Sequence, residues 1–173
     1  MVERWLGGEA NPLSALPSVV ILGLAMLAAA GLARARSPAP DRGVRLRAAG
    51  ALVVAVLVQA LHLAEEATTG FHERFPALMG LPAMSFPLFL GFNLAWLGIW
   101  CASVPGVRAG RPLAYFAAWF LAIAGVLNGV GHPAFAIAVG GYFPGLFTSP
   151  LIALAAAWLA VCLLSASERP AAG

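Results

Sequence analysis

The sequence predicts an all-α fold, a bundle of membrane-spanning helices that occupies residues 1–173 as a single domain. Three observations predict it. Hydrophobic residues make up 61% of the chain. Charged residues make up only 10%, against about 25% in a typical soluble domain. The mean hydropathy is +0.89, and the apolar residues are gathered into long runs that suit the thickness of a bilayer.

Five apolar segments are long enough to be predicted as transmembrane helices, since a bilayer core of about 30 Å takes roughly 20 helical residues. Leucine, alanine and valine dominate them, without the alternating pattern of a transmembrane barrel. The first segment follows Glu3, Arg4 and Glu9, which do not form the positive region of a signal peptide, so we expect the segment to be retained. The five segments are residues 17–33, 46–68, 86–103, 112–131 and 149–164.

Arginine supplies every basic side chain and predicts the orientation of the bundle. Residues 34–47 hold five arginines against one aspartate, residues 104–111 hold two, and Arg169 lies in the C-terminal tail. By the positive-inside rule these segments face the cytoplasm, while the N-terminus and the segments 70–85 and 133–148 face outward. The predicted location is the inner membrane of a bacterium, with the N-terminus outside.

The composition also indicates which partners to expect. The arginines lie in short loops rather than in one patch, so the net charge of +3 does not indicate a nucleic-acid partner. Cys101 and Cys162 lie in apolar segments and are expected to be buried and unpaired. No phosphate-binding loop, nucleophile elbow or Cys-x-x-Cys pair is present. The expected partners are the lipid bilayer and a small apolar or lipid-like ligand, and homo-oligomerisation is left open.

A cluster of ionisable residues lies near the outer end of the second segment, where such residues point to a functional site. At 1.5 Å per residue, His62 lies ~24 Å and the Glu65–Glu66 pair ~29 Å above the cytoplasmic start of the helix. Residues three and four apart return to the same helix face, so Glu65 and Glu66 flank His62. The alternative is a wet helix end, with both glutamates solvated at the lipid–water interface.

The fourth segment carries polar residues at a matching depth. Asn128 lies ~24 Å and His132 ~30 Å above the start of this helix. They are four residues apart and share a face. Asn93, in the third segment, is expected at a similar depth and is a candidate to join them. Both asparagines would otherwise serve as interhelical hydrogen-bond partners, and His132 before Pro133 would otherwise mark a helix end.

Imidazole and carboxylate together form the ligand set of zinc and non-haem iron sites, which bundles build from helix-borne Glu and His. We predict a single divalent ion, zinc or iron, bound by His62 and His132 with Glu65 or Glu66. The other glutamate would act as a base or second ligand in a metal-dependent enzyme. Two alternatives use the same residues: a small proton- or cation-coupled transporter or binding protein, and a metal-free acid–base isomerase. His72 is expected to be an exposed loop residue.

These residues also carry a family resemblance. The run His62-Leu63-Ala64-Glu65-Glu66 resembles the motif for which the HXXEE family of small bacterial membrane proteins is named. The resemblance extends over roughly residues 50 to 160, and the chain departs from it in an additional helix before the motif and in Phe143. It implies a membrane location and a shared site that includes Tyr142, and it names no reaction. The downstream residues that resemble the family are Asn128, His132, Tyr142, Pro144-Gly145 and Thr148.

Overall fold

The computed structural model describes residues 12–168 and is all-α over that range. A 3-10 turn at Pro12–Ala15 leads directly into the first helix, and two short strands, β1 (Ser37–Pro38) and β2 (Ser167–Glu168), pair antiparallel. The helices are α1 (Leu16–Ala35), α2 (Arg42–Thr69), α3 (Phe71–Ala77), α4 (Phe86–Arg108), α5 (Pro112–Val139) and α6 (Ser149–Ser165).

Four helices in the described part of the chain, α1, α2, α4 and α5, are long and apolar enough to cross a membrane. Helix α6 is also apolar but has 17 residues. The structure therefore has four candidate membrane spans and a shorter apolar helix in place of the fifth predicted span.

The helices α2, α4, α5 and α6 form a ring in which α2 packs against α4 and α6, and α5 packs against the same two helices. Helices α2 and α5 thus lie across the ring from each other. About half of the apolar window is buried in each of them, 50% in α2 and 56% in α5, against 11% in α1 and α4. Helix α1 packs on the outside of the ring, against α5.

Two glycines of α5 allow it to approach α6 closely. A Cβ atom on Gly125 would lie 2.6 Å from the Cβ atom of Ala156, and one on Gly129 would overlap the Cβ atom of Ala153. Small residues at such positions let two helix backbones approach, which is how apolar helices gain packing energy within a membrane. The contact fixes the C-terminal half of α5, which includes His132, beside the start of α6.

Helix α5 does not end at His132, as the following proline suggested, but continues through Pro133 to Val139. Proline removes one backbone hydrogen bond and strains the turn before it, but a helix packed among other helices tolerates that loss. The helix ends at Gly140, which adopts the left-handed conformation with φ +68°. The connection to α6 is therefore shorter than predicted.

Arginines fasten the end of the bundle at which the predicted cytoplasmic segments meet. Arg36 Nε donates to Ser167 Oγ at 2.9 Å and ties β2 to the end of α1. Arg45 donates to the carbonyl oxygens of Ala39 at 2.6 Å and Arg108 at 3.2 Å.

Both cysteines are unpaired. Cys162 is half-buried, while Cys101 lies exposed on the bundle surface, so the prediction that it is buried was wrong. Its segment is apolar because α4 presents most of its surface outward rather than into the ring.

Candidate metal centre

Three buried side chains meet at the end of the ring opposite the arginines. His62 and Glu66 lie on α2, one helical turn apart, and His132 lies across the ring on α5. Their exposed fractions are 0%, 5% and 2%. One ligand atom from each lies within 4.8 Å of the others. The packing of the ring thus brings together three of the four predicted ligands.

The spacing of these atoms fits a metal ion. Glu66 Oε1 lies 3.6 Å from His62 Nε2 and 3.4 Å from His132 Nε2. Ligand atoms about 2.0–2.2 Å from a tetrahedral ion are separated by roughly 3.3–3.6 Å. The two imidazole rings are 4.7 Å apart and nearly perpendicular, at 89°. The donor set, and the two distances to Glu66, match a site with two histidines and one carboxylate.

The backbone at Pro144 orients His132. The carbonyl oxygen of Pro144 lies 2.6 Å from His132 Nδ1. A carbonyl oxygen only accepts, so Nδ1 carries a ring proton, and Nε2 is the atom that faces Glu66, with a lone pair in the neutral form of the ring. Histidines that bind metals are held in the same manner, by a hydrogen bond from the other ring nitrogen.

Glu65 lies outside this group, although it is the neighbour of Glu66 in the sequence. Its carboxylate accepts hydrogen bonds from Tyr142 Oη at 2.7 Å, from the backbone N–H groups of Phe147 and Thr148 at 3.1 and 2.8 Å, and from Thr148 Oγ1 at 2.5 Å. Burial, together with the donation to Glu65 and its charge, raises the pKa of Tyr142, which therefore remains a donor at neutral pH. Glu65 fastens residues 140–148, the segment between α5 and α6, to α2.

Gly145 lets this connecting segment lie directly on the two imidazoles. It has φ +86°, and a Cβ atom there would lie 2.5 Å from Cε1 of His132 and 2.9 Å from Cε1 of His62. The left-handed conformation and the close contact both require glycine. At Gly145 the segment therefore covers the site with its backbone.

Aromatic side chains line one side of the site, next to residues 140–148. The rings of Phe71, Phe135 and Phe143 lie 5.5, 6.2 and 6.2 Å from the ring of His132. They belong to a second apolar cluster, separate from the core between the helices. The candidate ligands therefore lie in dry, apolar surroundings, where electrostatic interactions are strong.

Neither of the two asparagines predicted for the site has a hydrogen bond to the ligand group among residues 12–168. Asn93 Nδ2 donates to the carbonyl oxygen of Phe89 at 2.8 Å, one turn earlier in its own helix. Asn128 is half-buried on α5. Tyr142 reaches the site only through its hydrogen bond to Glu65.

His72 is buried, and the prediction of an exposed loop residue was wrong. It lies in α3, where its ring packs 4.9 Å from Phe86 and 6.2 Å from Phe89, and it is 6% exposed. Burial lowers the pKa of His72 below its usual value, while the Glu73 carboxylate acts in the opposite direction. Residues 70–85 were taken for a loop because α3 is too short to show a helical repeat.

Two polar residues outside the predicted set of site residues lie close to His62. Thr148 connects Glu65 to His62, whose Nδ1 atom lies 2.8 Å from Thr148 Oγ1. Gln59 lies one turn before His62 and is 6% exposed, and its Oε1 atom has no hydrogen-bond donor among residues 12–168. A polar residue three positions before His62 was the only signal available for Gln59.

The comparisons place the site within a family. The model of a family described as proteins of unknown function with an HXXEE motif matches residues 53–160, which include all three ligand candidates and the segment that covers them. This match confirms the resemblance drawn from the sequence. The comparisons with curated proteins and with solved structures found no match.

Proposed function

This chain belongs to the HXXEE-motif family, and we propose that it is an integral membrane protein of the bacterial inner membrane that binds one zinc or iron ion and acts as an enzyme on an apolar or lipid-like substrate. The ligands would be His62, Glu66 and His132. All five apolar helices would cross the membrane, with the N-terminus outside, so that the site lies near the outer face.

The proposal is supported by three hydrogen-bond acceptors that lie close together in a buried site. His132 Nε2 and Glu66 Oε1 both present lone pairs, 3.4 Å apart. His62 Nε2 is buried beside them and has no hydrogen-bond partner among residues 12–168. Without a cation His62 Nε2 is left unsatisfied, at a cost of about 1–3 kcal/mol, and the lone pairs of the other two atoms face each other. One divalent ion would satisfy all three.

The number of ligands favours catalysis over a structural role. Structural zinc sites are closed by four protein ligands, while catalytic sites keep three and leave a position for water or substrate. Two histidines and one carboxylate also form the facial triad of non-haem iron enzymes. An ion held here would activate a bound water or polarise a substrate oxygen.

The surroundings of the site support an apolar substrate. Phe71, Phe135 and Phe143 line it on one side, and the helices that hold it are candidate membrane spans. A substrate dissolved in the bilayer would reach such a site without crossing a charged surface. Polar recognition would be limited to the ion and the few hydrogen-bonding groups near it.

The test is elemental analysis of protein purified in mild detergent without a chelator. The wild type should contain close to one zinc or iron per chain, and His62→Ala/His132→Ala should contain none. His72→Ala is a matched control, because it removes the third histidine of the chain and should leave the metal in place. Circular dichroism and size-exclusion chromatography would establish that each variant is folded. Wild-type protein that lacks metal and does not bind added zinc or iron would refute the proposal.

A second candidate function uses the same three side chains. One additional proton, shared between Glu66 and either histidine, would satisfy two of these three acceptors and could be passed on, as a proton or cation carrier or a metal-free isomerase requires. Gln59 favours the carrier, because it extends the polar face of α2 by one turn towards the arginine end. Metal-free protein that shows proton-coupled uptake after reconstitution into vesicles would select it.

A further inference from the structure

Three polar groups form a continuous chain beside the ligand cluster. The Glu65 carboxylate lies 2.5 Å from Thr148 Oγ1, which lies 2.8 Å from His62 Nδ1. The three residues come from α2 and from the segment that covers the site. Nothing in the metal proposal above uses Glu65 or Thr148, although Glu65 is part of the family motif.

The direction of the hydrogen bonds in this chain follows from the number of protons. An ionised carboxylate only accepts, and the four donors around Glu65 favour its ionised form. The single hydroxyl proton of Thr148 must therefore point to Glu65. Thr148 Oγ1 then receives its other hydrogen bond from His62, so the ring proton of His62 is on Nδ1.

The opposite arrangement is unfavourable. If His62 carried its proton on Nε2, Nδ1 would need the hydroxyl proton of Thr148. The lone pairs of Thr148 would then face those of the Glu65 carboxylate at 2.5 Å. Both residues are half-buried, so such a contact costs at most about as much as an unsatisfied buried group, roughly 1–3 kcal/mol. That cost is enough to select one tautomer.

We propose that Glu65 and Thr148 are positioning residues that hold His62 in the tautomer with a bare Nε2 atom, directed at Glu66 and the ion. The inference deepens the proposed metal site and rests on it for its consequence. It also gives the two adjacent glutamates of the motif different tasks. Consecutive residues on a helix point about 100° apart, so Glu66 faces the ring interior while Glu65 faces the covering segment.

A purely structural latch makes a different prediction. If Glu65 only fastened residues 140–148 to α2, loss of the Thr148 hydroxyl would loosen that segment and leave the protonation of His62 unchanged. If the chain selects a tautomer, the proton on His62 is free to move to Nε2 when the hydroxyl is removed. The site of the ring proton therefore separates the two roles.

The experiment is NMR of metal-free protein, labelled with 15N in its histidines, in detergent micelles. Wild-type protein should show His62 with its proton on Nδ1, and Thr148→Ser, which keeps the hydroxyl, should show the same. Thr148→Val should shift His62 towards the Nε2–H tautomer. Tyr142→Phe is the matched control, because it removes a donor to Glu65 but leaves the connection to His62 intact.

Zinc titration of the same proteins measures the consequence. Replacing residues that orient a metal ligand typically lowers metal affinity by about 10–100-fold, and we expect that loss for Thr148→Val but not for Thr148→Ser or Tyr142→Phe. Wild-type protein with the His62 proton on Nε2 would overturn the inference, whether or not Thr148→Val folds. A folded Thr148→Val that keeps the wild-type tautomer, or binds zinc as tightly as wild type, would also overturn it. Wild-type protein that binds no metal but has the expected, Thr148-dependent tautomer would refute the metal proposal while leaving the tautomer selection intact.

Discussion

Replacing Gly145 with alanine tests how closely the covering segment packs on the two imidazoles. The residue has φ +86°, and an L-residue in the left-handed region costs about 1–2 kcal/mol. The new Cβ atom would also lie 2.5 Å from Cε1 and 2.6 Å from Nδ1 of His132. Relieving such overpacking typically costs about 1–3 kcal/mol. The expected total is a loss of about 2–5 kcal/mol in the free energy of unfolding, as the sum of these two costs.

The steric part of this loss has a consequence for the site. The ring of His132 cannot move away from the new Cβ atom without losing the hydrogen bond between its Nδ1 atom and the Pro144 carbonyl oxygen, next to the substituted residue. The alanine must displace either the ring or the covering segment. In both cases the spacing between His132 Nε2 and Glu66 changes, and zinc affinity should fall at least about tenfold, as when a ligand loses its orientation.

Gly140→Ala is the matched control for backbone strain. Gly140 has φ +68°, and a Cβ atom there would meet nothing within 4 Å. It should therefore lose only about 1–2 kcal/mol and keep its zinc affinity. Thermal unfolding in detergent and zinc titration would measure both variants. If Gly145→Ala matches Gly140→Ala in stability and matches wild type in zinc affinity, the segment does not pack on the imidazoles as described.

Two further substitutions test the packing of the ring. Gly129→Ala should lower the free energy of unfolding by about 1–3 kcal/mol, because its Cβ atom would overlap Ala153. Gly98→Ala is the control and should not lower it, since a Cβ atom there would meet nothing within 4 Å. Equal thermal midpoints for the two variants would contradict the close approach of α5 and α6. Tyr115→Phe should cost about 0.5–1.5 kcal/mol in the same assay, because the buried Tyr115 hydroxyl donates to the Ala166 carbonyl oxygen at 3.0 Å. An unchanged midpoint would mean that this bond does not hold the end of α6.

The meeting of the two polar clusters could be predicted from the sequence, because height along a helix is a one-dimensional quantity. Counting 1.5 Å per residue put the cluster of His62 and the cluster of Asn128 and His132 at similar heights on two helices, and in the structure His62 and His132 meet. Periodicity also indicated that Glu66 returns to the face of His62. These inferences need only regular helices and the positions of their ends.

The different contacts of Glu65 and Glu66 could not be predicted in this way. Both lie within one turn of His62, and helical spacing treats positions three and four apart alike. What separates them is the segment that meets Glu65, formed by Tyr142, Phe147 and Thr148. Its course depends on tertiary contacts and on Gly145, which no periodic pattern encodes.

Local rules failed where tertiary packing overrode them. Pro133 suggested a helix end, but α5 continues because its neighbours hold it in place. His72 looked like a loop residue, but Gly70, with φ +83°, turns the chain into α3 and directs His72 inward. Both errors concern the end of the bundle opposite the arginines, where α3 and residues 140–148 pack around the site.

The proposed ligands come from α2 and α5, the two helices that lie across the ring from each other rather than side by side. An ion bound there would join α2 to α5 and would fix the distance between them at the end of the bundle that holds the site. Binding and width would then be thermodynamically linked, and the linkage is reciprocal. Lateral pressure in the bilayer that narrows the ring would favour the loaded protein, and loss of the ion would let the outer end widen.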